Sequence, residues 1–229
     1  MRTFSSVCFY ISIHICFDSI ARAPLDLIAA AARLNAEGAL DDAVVILAGD
    51  APGRDAYREE LTGLIAAHGL GTKVRLVGHC REMPAAYLAA HVAVTTSTVP
   101  ETFGRTSVEA QIMGCPVIVP DLGALPETIV APEESETGFT GWLVPPRDVV
   151  ALAQRMAQAL ALARSARTAI GVRAREDVAA NFTLRQMQGS TLAVYDELLG
   201  TDLEARFERS LSVGSSSPAE FRAGGADDR

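Results

Sequence analysis

Glu101 and Glu109 close the two ends of the segment Glu-Thr-Phe-Gly-Arg-Thr-Ser-Val-Glu, two carboxylates that bracket a Phe-Gly turn. Ser97-Thr98-Val99-Pro100 precedes them and Ala110-Gln111-Ile112-Met113-Gly114-Cys115-Pro116-Val117-Ile118 follows. The pair therefore falls where a strand ends, a loop turns and a helix begins, which is where α/β sheets hold ligands. Pro100 keeps the residue before it extended, and Gly104 permits a turn that other residues resist. Glu101 thus projects from a loop. From Arg105 onward the residues read as a helix whose first amides lack partners and whose dipole favours an anion, so a phosphate would fit there. Glu109 lies more than one turn into that helix, and its carboxylate can accept two hydroxyl hydrogen bonds at once, as a cis-diol such as ribose would offer. On spacing alone a second reading stays open: Glu101 as a solvated loop acid and Glu109 as an exposed helix residue.

The elements that must position these residues follow from the hydrophobic pattern. Ala43 to Ala48, Val74 to Val77, Val92 to Thr95 and Val117 to Val119 are short apolar, β-branched runs without polar alternation, the pattern of strands buried on both faces of a parallel sheet. Helical stretches separate them. Arg54 to His68 closes at Gly69, Pro84 to Ala90 starts at its proline, and Thr106 to Met113 stops at Gly114-Cys115-Pro116. Strands alternating with helices imply right-handed crossovers and a doubly wound α/β sheet. After Pro145-Pro146 the segments Val149 to Ala163, Ala166 to Asn181 and Leu184 to Leu199 read as helices, with Asn181-Phe182-Thr183 capping the last.

The ordered set of motifs resembles the family-four glycosyltransferases, a GT-B group of retaining enzymes that use nucleotide sugars. The resemblance runs from Arg22 to Leu199. It rests on Asp41-Asp-Ala-Val-Val-Ile-Leu-Ala-Gly49 with Asp50-Ala51-Pro52-Gly53-Arg54, on Lys73-Val-Arg-Leu-Val-Gly-His79, and on the two-glutamate segment. Asp121-Leu-Gly-Ala-Leu-Pro-Glu127 and Gly141-Trp-Leu-Val-Pro-Pro146 complete it. The resemblance implies the Rossmann-like C-terminal, donor-binding half of a GT-B fold, with extra C-terminal helices. It gives Glu101 to the hydroxyls of the transferred sugar, the backbone of Phe103 and Gly104 to the sugar and phosphates, and Glu109 to the ribose. The family counters the diphosphate with Gly-Arg-x-x-x-x-Lys-Gly near the domain start. Here Arg22-Ala23 stands where Lys-Gly is expected and no Gly-Arg precedes it. Arg22 supplies one cation or is an ordinary helix-start arginine; the second cation is missing, which matters beside a leaving diphosphate.

Other positions carry two readings each. Gly49, after a strand, either lets a nucleotide approach the backbone or satisfies a turn. His79 stacks on the base or lies on the surface, and Thr106 and Ser107 add hydroxyls near the phosphates or cap the helix. Trp142 is read as core. Glu133, Glu134 and Glu136 form a solvated loop.

With 229 residues and 49% apolar composition, the chain can bury one solid domain, residues 21–200, with an atypical segment at 1–20 and a disordered tail without chemistry at 201–229. Phe9, Ile11, Ile13, Ile15 and Phe17 alternate with polar neighbours, as a strand in the first position of the sheet would. Arg2, an apolar stretch and Ala21-Arg22-Ala23 also fit a secretory signal, and a third reading makes these residues foreign to the family, as after truncation or frameshift.

The four cysteines, Cys8, Cys16, Cys80 and Cys115, show neither Cys-x-x-Cys spacing nor a disulfide framework, and His79-Cys80 alone makes no zinc site. A net charge of −8 argues against nucleic acid as a partner. These features agree with a cytoplasmic protein, peripheral at the membrane if its acceptor is lipid-linked. The function that follows is hexosyl transfer from a nucleoside diphosphate sugar to a glycan or lipid-linked acceptor with no metal and no cofactor. The alternative is a truncated donor-binding module without activity alone, either a remnant or half of a split enzyme whose acceptor half is a separate chain, and an exposed apolar face would predict a homodimer or poor solubility. A dehydrogenase is disfavoured because no Gly-x-Gly-x-x-Gly opens a first helix.

Overall fold

The computed structural model of this chain describes residues 9–14, 23–49, 53 and 55–214. In chain order the elements are β1 (Phe9–His14), α1 (Ala23–Ala36), β2 (Ala43–Ala48), α2 (Asp55–Ala67), β3 (Val74–Gly78), α3 (Met83–Ala89), β4 (Val92–Val94) and α4 (Arg105–Ile112). There follow β5 (Val117–Pro120), a 3-10 turn (Leu125–Thr128), β6 (Gly141–Val144), α5 (Val149–Ala161), α6 (Arg164–Asn181), α7 (Leu184–Leu199) and α8 (Leu203–Gly214). The six strands form one sheet in the order β3-β2-β1-β4-β5-β6, every pair parallel. This is the doubly wound arrangement, in which the strand order reverses between β1 and β4 and ligands lie beyond the carboxyl ends of the strands at that reversal.

The alternating N-terminal run does form a strand, but over Phe9–His14, and first in chain order does not mean first in space: β1 pairs with both β2 and β4 and so lies at the middle of the sheet. The other readings of residues 1–20 fall largely outside the described residues.

β2, β4 and β5 are covered on both faces, which is why they read as unbroken apolar runs, whereas the edge strand β3 alternates and exposes Arg75 and Val77, contrary to the reading of Val74 to Val77 as a run without polar alternation. Adjacent residues of one strand serve opposite layers. Val94, Ile118 and Trp142 join Leu27 and Leu34 of α1, Leu61 of α2 and Leu152 and Met156 of α5 in one core cluster. Ala93, Val117 and Val119 join Tyr87 of α3, Ala110 of α4 and Leu125 in the other. Each fully buried leucine contributes about 1.5–3 kcal/mol. Gly141 opens β6 where a side chain could not: a Cβ there would stand 2.7 Å from the Val117 carbonyl oxygen. That close approach explains why glycine opens a strand that the apolar pattern alone did not mark.

Helix ends obey local rules. α2 closes through Gly69 (φ 66), with the Leu70 amide donating to Ile65 O at 2.9 Å, and α4 closes through Gly114 (φ 74), with the Cys115 amide donating to Ala110 O at 3.0 Å.

Residues up to Ala180 form one unit and those from Asn181 another. In the second, a helix replaces part of the tail expected from 201. α8 forms because Leu203, Phe207 and Leu211 recur at helical spacing and because Asp196 caps it, accepting from the Leu203 amide at 2.6 Å and the Glu204 amide at 2.9 Å. Arg185 on α7 pairs with Glu208 on α8, Nε to Oε1 at 3.0 Å.

Candidate functional site

The carboxyl end of β4 sits at the reversal of strand order, and the loop it feeds carries Glu101. Thr95 continues the strand pairing, its amide donating to Ile118 O at 2.9 Å, and its hydroxyl lies 3.3 Å from that of Thr106 in the first turn of α4. Ser97 Oγ donates to Glu101 Oε1. The glutamate backbone is held as tightly as its carboxylate: the Ala124 amide donates to Glu101 O at 3.0 Å. Gly123, at φ 62, packs so closely that a Cβ would stand 2.6 Å from Glu101 O, 2.7 Å from Glu101 N and 3.0 Å from Pro100 Cα. Glu101 is thus a half-buried carboxylate fixed on both its main chain and its side chain.

Gly104 follows as the residue before α4, at φ 85 and with no side-chain cap on the helix. A Cβ there would meet Leu125 Cδ2 at 2.6 Å. The first turn of α4 therefore opens with a left-handed backbone that only glycine takes freely; the Ser107 amide already donates to Gly104 O at 3.0 Å, so an anion would meet the amides ahead of it. Phe103 is exposed beside it. Glu109, one turn on, pairs with Arg105 at 3.1 Å; the two side chains are 41% and 81% exposed, so the pair is worth about 0.3–0.5 kcal/mol and opens readily for another partner.

Ser107 contributes differently from either reading of it. It is fully buried and neither caps α4 nor faces an open site. Its hydroxyl lies 2.8 Å from Thr128 Oγ1 and accepts from Gln111 Nε2 at 3.1 Å, while Gln111 Nε2 also donates to Thr128 O at 2.6 Å. This buried polar cluster ties α4 to the 3-10 turn, and hence to the Gly123-Ala124 segment that grips Glu101.

Gly49 follows β2, and its amide donates to Gly78 O at 2.8 Å, which continues the pairing with β3. His79 is exposed just past β3. Trp142 is only 4% exposed and its ring lies 5.5 Å from that of Phe139, the core role expected of it. Arg22, Asp50 and Arg54 lie outside the described residues. Among the described residues no three His, Cys, Asp or Glu side chains come together as a metal would require, and no helix is long and apolar enough to cross a membrane.

Sequence reasoning missed one feature of the same edge. A small cleft, about 20 Å³, is lined by Asp26 on α1, by Thr95, Thr96 and Ser97 after β4, and by Arg147 and Asp148 after β6. It has room for about one water. Burial pushes the Asp26 carboxyl above its ordinary range, and the nearby Arg147 charge draws it part of the way back. Only tertiary packing brings these residues together, so no local signal announced them.

Residues 21–177 match the family model of glycosyl transferases group 1. The chain is 30% identical over 155 residues to the lipopolysaccharide core biosynthesis mannosyltransferase LpsB of Rhizobium meliloti (strain 1021), covering 67% of this chain and 42% of that protein. It therefore spans less than half the length of that curated relative. Among solved structures it resembles Anabaena HepE, crystallised in complex with UDP and glucose, with a TM-score of 0.69 and 26% identity over 82% of this chain and 49% of that one. It also resembles the C-terminal domain of a group 1 glycosyl transferase, LpcC from Francisella tularensis, with a TM-score of 0.64 and 25% identity over 77% of this chain and 87% of that domain.

Proposed function

The chain belongs to the group 1 glycosyltransferases, and we propose that it holds a nucleoside diphosphate sugar at the carboxyl edge of its sheet for transfer of the hexosyl group to a hydroxyl of a glycan or lipid-linked acceptor. In this reading Glu101 binds the sugar hydroxyls, the main chain at Phe103 and Gly104 approaches the sugar and phosphates, and Glu109 accepts from the ribose diol. Arg22 and the α4 N-terminus meet the diphosphate charge without a metal or cofactor, and Gly49 leaves room for the nucleotide. Transfer proceeds with retention: the bond from the anomeric carbon to the diphosphate oxygen breaks as the bond to the acceptor oxygen forms on the same face. The acceptor proton passes to the departing diphosphate.

The single observation that carries the reading is the locked Glu101, a carboxylate fixed by Ser97 and Gly123 at the reversal point of the sheet, beside an uncapped helix start. Preorganised groups of this kind need no rearrangement when charge develops. The UDP and glucose bound to HepE and the mannosyltransferase activity in the name of LpsB support a sugar nucleotide as donor. Acceptor contacts are proposed to come from outside the described residues, from a second Rossmann-like domain, a separate chain or a second copy, on the cytoplasmic side of a membrane. A donor-binding module without transfer of its own is the second reading, favoured because Glu101, Gly104 and Glu109 are all assigned here to the donor and no described residue is assigned to the acceptor.

Glu101→Gln tests the assignment. Calorimetric titration with UDP-glucose, GDP-mannose and the bare diphosphates is expected to show the variant losing affinity for its sugar nucleotide while keeping that for the diphosphate. Equal loss for both would remove Glu101 from the sugar subsite.

A further inference from the structure

A diphosphate held at this edge carries more negative charge than one uncapped helix start neutralises, and the structure offers a cation from the far end of the same domain. Arg147 lies in the turn between β6 and α5 at φ 62, the one non-glycine residue with positive φ among the described residues. Glycine would take that conformation freely, so an arginine here holds a long cationic side chain where local geometry favours none. Among the described residues Arg147 makes no ion pair and it is exposed.

Its surroundings place that cation at the donor edge. Arg147 lines the same cleft as Ser97, whose hydroxyl holds Glu101, and as Asp26 in the first turn of α1. β6 lies two positions from β4 in the sheet, about 9–10 Å, within the combined reach of an arginine and a diphosphate. Of the two acids in the cleft, Asp148 is committed to the start of α5, accepting from the Ala151 amide at 2.9 Å. Asp26 is the remaining counter-charge for the guanidinium.

Resting on the reading of this edge as a nucleoside diphosphate site, we infer that Arg147 is a binding residue for the donor's distal phosphate, supplying a cation at this edge of the sheet. In the free chain its charge acts on Asp26 across the cleft without an ion pair; with donor present the guanidinium meets the phosphate next to the sugar held by Glu101. The planar fork of an arginine suits two phosphate oxygens at once.

The test compares the full chain with Arg147→Gly and Arg147→Lys, titrated with UDP and UMP and with GDP and GMP. Arg147→Gly relieves the left-handed strain while removing the charge, so it is expected to melt no lower than the parent. It should lose about tenfold in affinity for the diphosphate, the scale of one charge-assisted hydrogen bond, with monophosphate affinity unchanged. Arg147→Lys should recover part of the loss. Equal affinity of Arg147→Gly and the parent for the diphosphate overturns the inference, as does an equal loss for diphosphate and monophosphate, which would mark a structural role. Failure of the parent chain to bind any of the four nucleotides overturns instead the reading on which the inference rests.

Discussion

Gly123 and Glu101 meet main chain to main chain: a Cβ on the glycine would lie 2.6 Å from the glutamate carbonyl oxygen and 2.7 Å from its nitrogen. The carboxylate is therefore aimed by a residue with no side chain. Gly123→Ala is expected to displace the Glu101 loop and weaken sugar-nucleotide binding, with overpacking costing about 1–3 kcal/mol beyond the left-handed strain at φ 62. Gly69→Ala, at φ 66 with open space around it, supplies the strain alone, about 1–2 kcal/mol. Melting temperatures and donor titrations of the two variants separate the effects; indistinguishable behaviour would contradict the clamp.

Gly171 offers a stability test with a diagnostic sign. In a helix interior Gly→Ala ordinarily stabilises by about 1 kcal/mol. In α6, a Cβ at 171 would stand 2.2 Å from the Gly114 carbonyl oxygen, backbone against side chain. Gly171→Ala is expected to destabilise by at least about 2 kcal/mol, since neither main chain can yield without moving the turn that ends α4. Denaturant unfolding at constant m-value would check it, and a gain in stability would show that the helix does not press on that turn.

His91 sets a pH dependence. Burial, reinforced by the positive charge of Arg167, lowers it from 6.5 to about 4. The folded state thus keeps the imidazole neutral where the unfolded chain has already taken a proton. Below about pH 6.5 each further drop favours the unfolded state, and the effect ends near pH 4, once both states are protonated. Melting temperature against pH is expected to fall across this window, and His91→Asn to flatten the fall. An unchanged slope in the variant would assign the acid sensitivity to other groups.

The doubly wound sheet was legible because strands covered on both faces leave unbroken apolar runs, as in Ala43–Ala48 and Val117–Pro120. The two glutamates were legible because their loop is punctuated by Pro100 and Gly104. What grips Glu101 was not: Gly123 and the buried Ser107-Gln111-Thr128 cluster act through tertiary contacts, Gly123 stood out only as part of a family motif, and Ser97, though only four residues from Glu101, carried no signal of its own. Ser107 illustrates the gap, since a serine early in a helix signals a cap, whereas here its hydroxyl is fully buried. Gly141–Val144 was hidden because it opens on a glycine and runs straight into Pro145-Pro146, and α8 because Ser and charged residues dilute its apolar spacing.

Calorimetric titration of the chain with uridine and guanosine diphosphates, alongside Glu109→Ala, tests the central claim most directly. Glu109 sits on the helix surface, tied only weakly to Arg105 at 3.1 Å, so its loss leaves the fold intact and removes the group assigned to the ribose. Saturable binding of one nucleotide, weakened by at least about tenfold in Glu109→Ala, is the expected result. Binding to neither nucleotide, or equal binding by both proteins, would contradict a donor site at the carboxyl edge of this sheet.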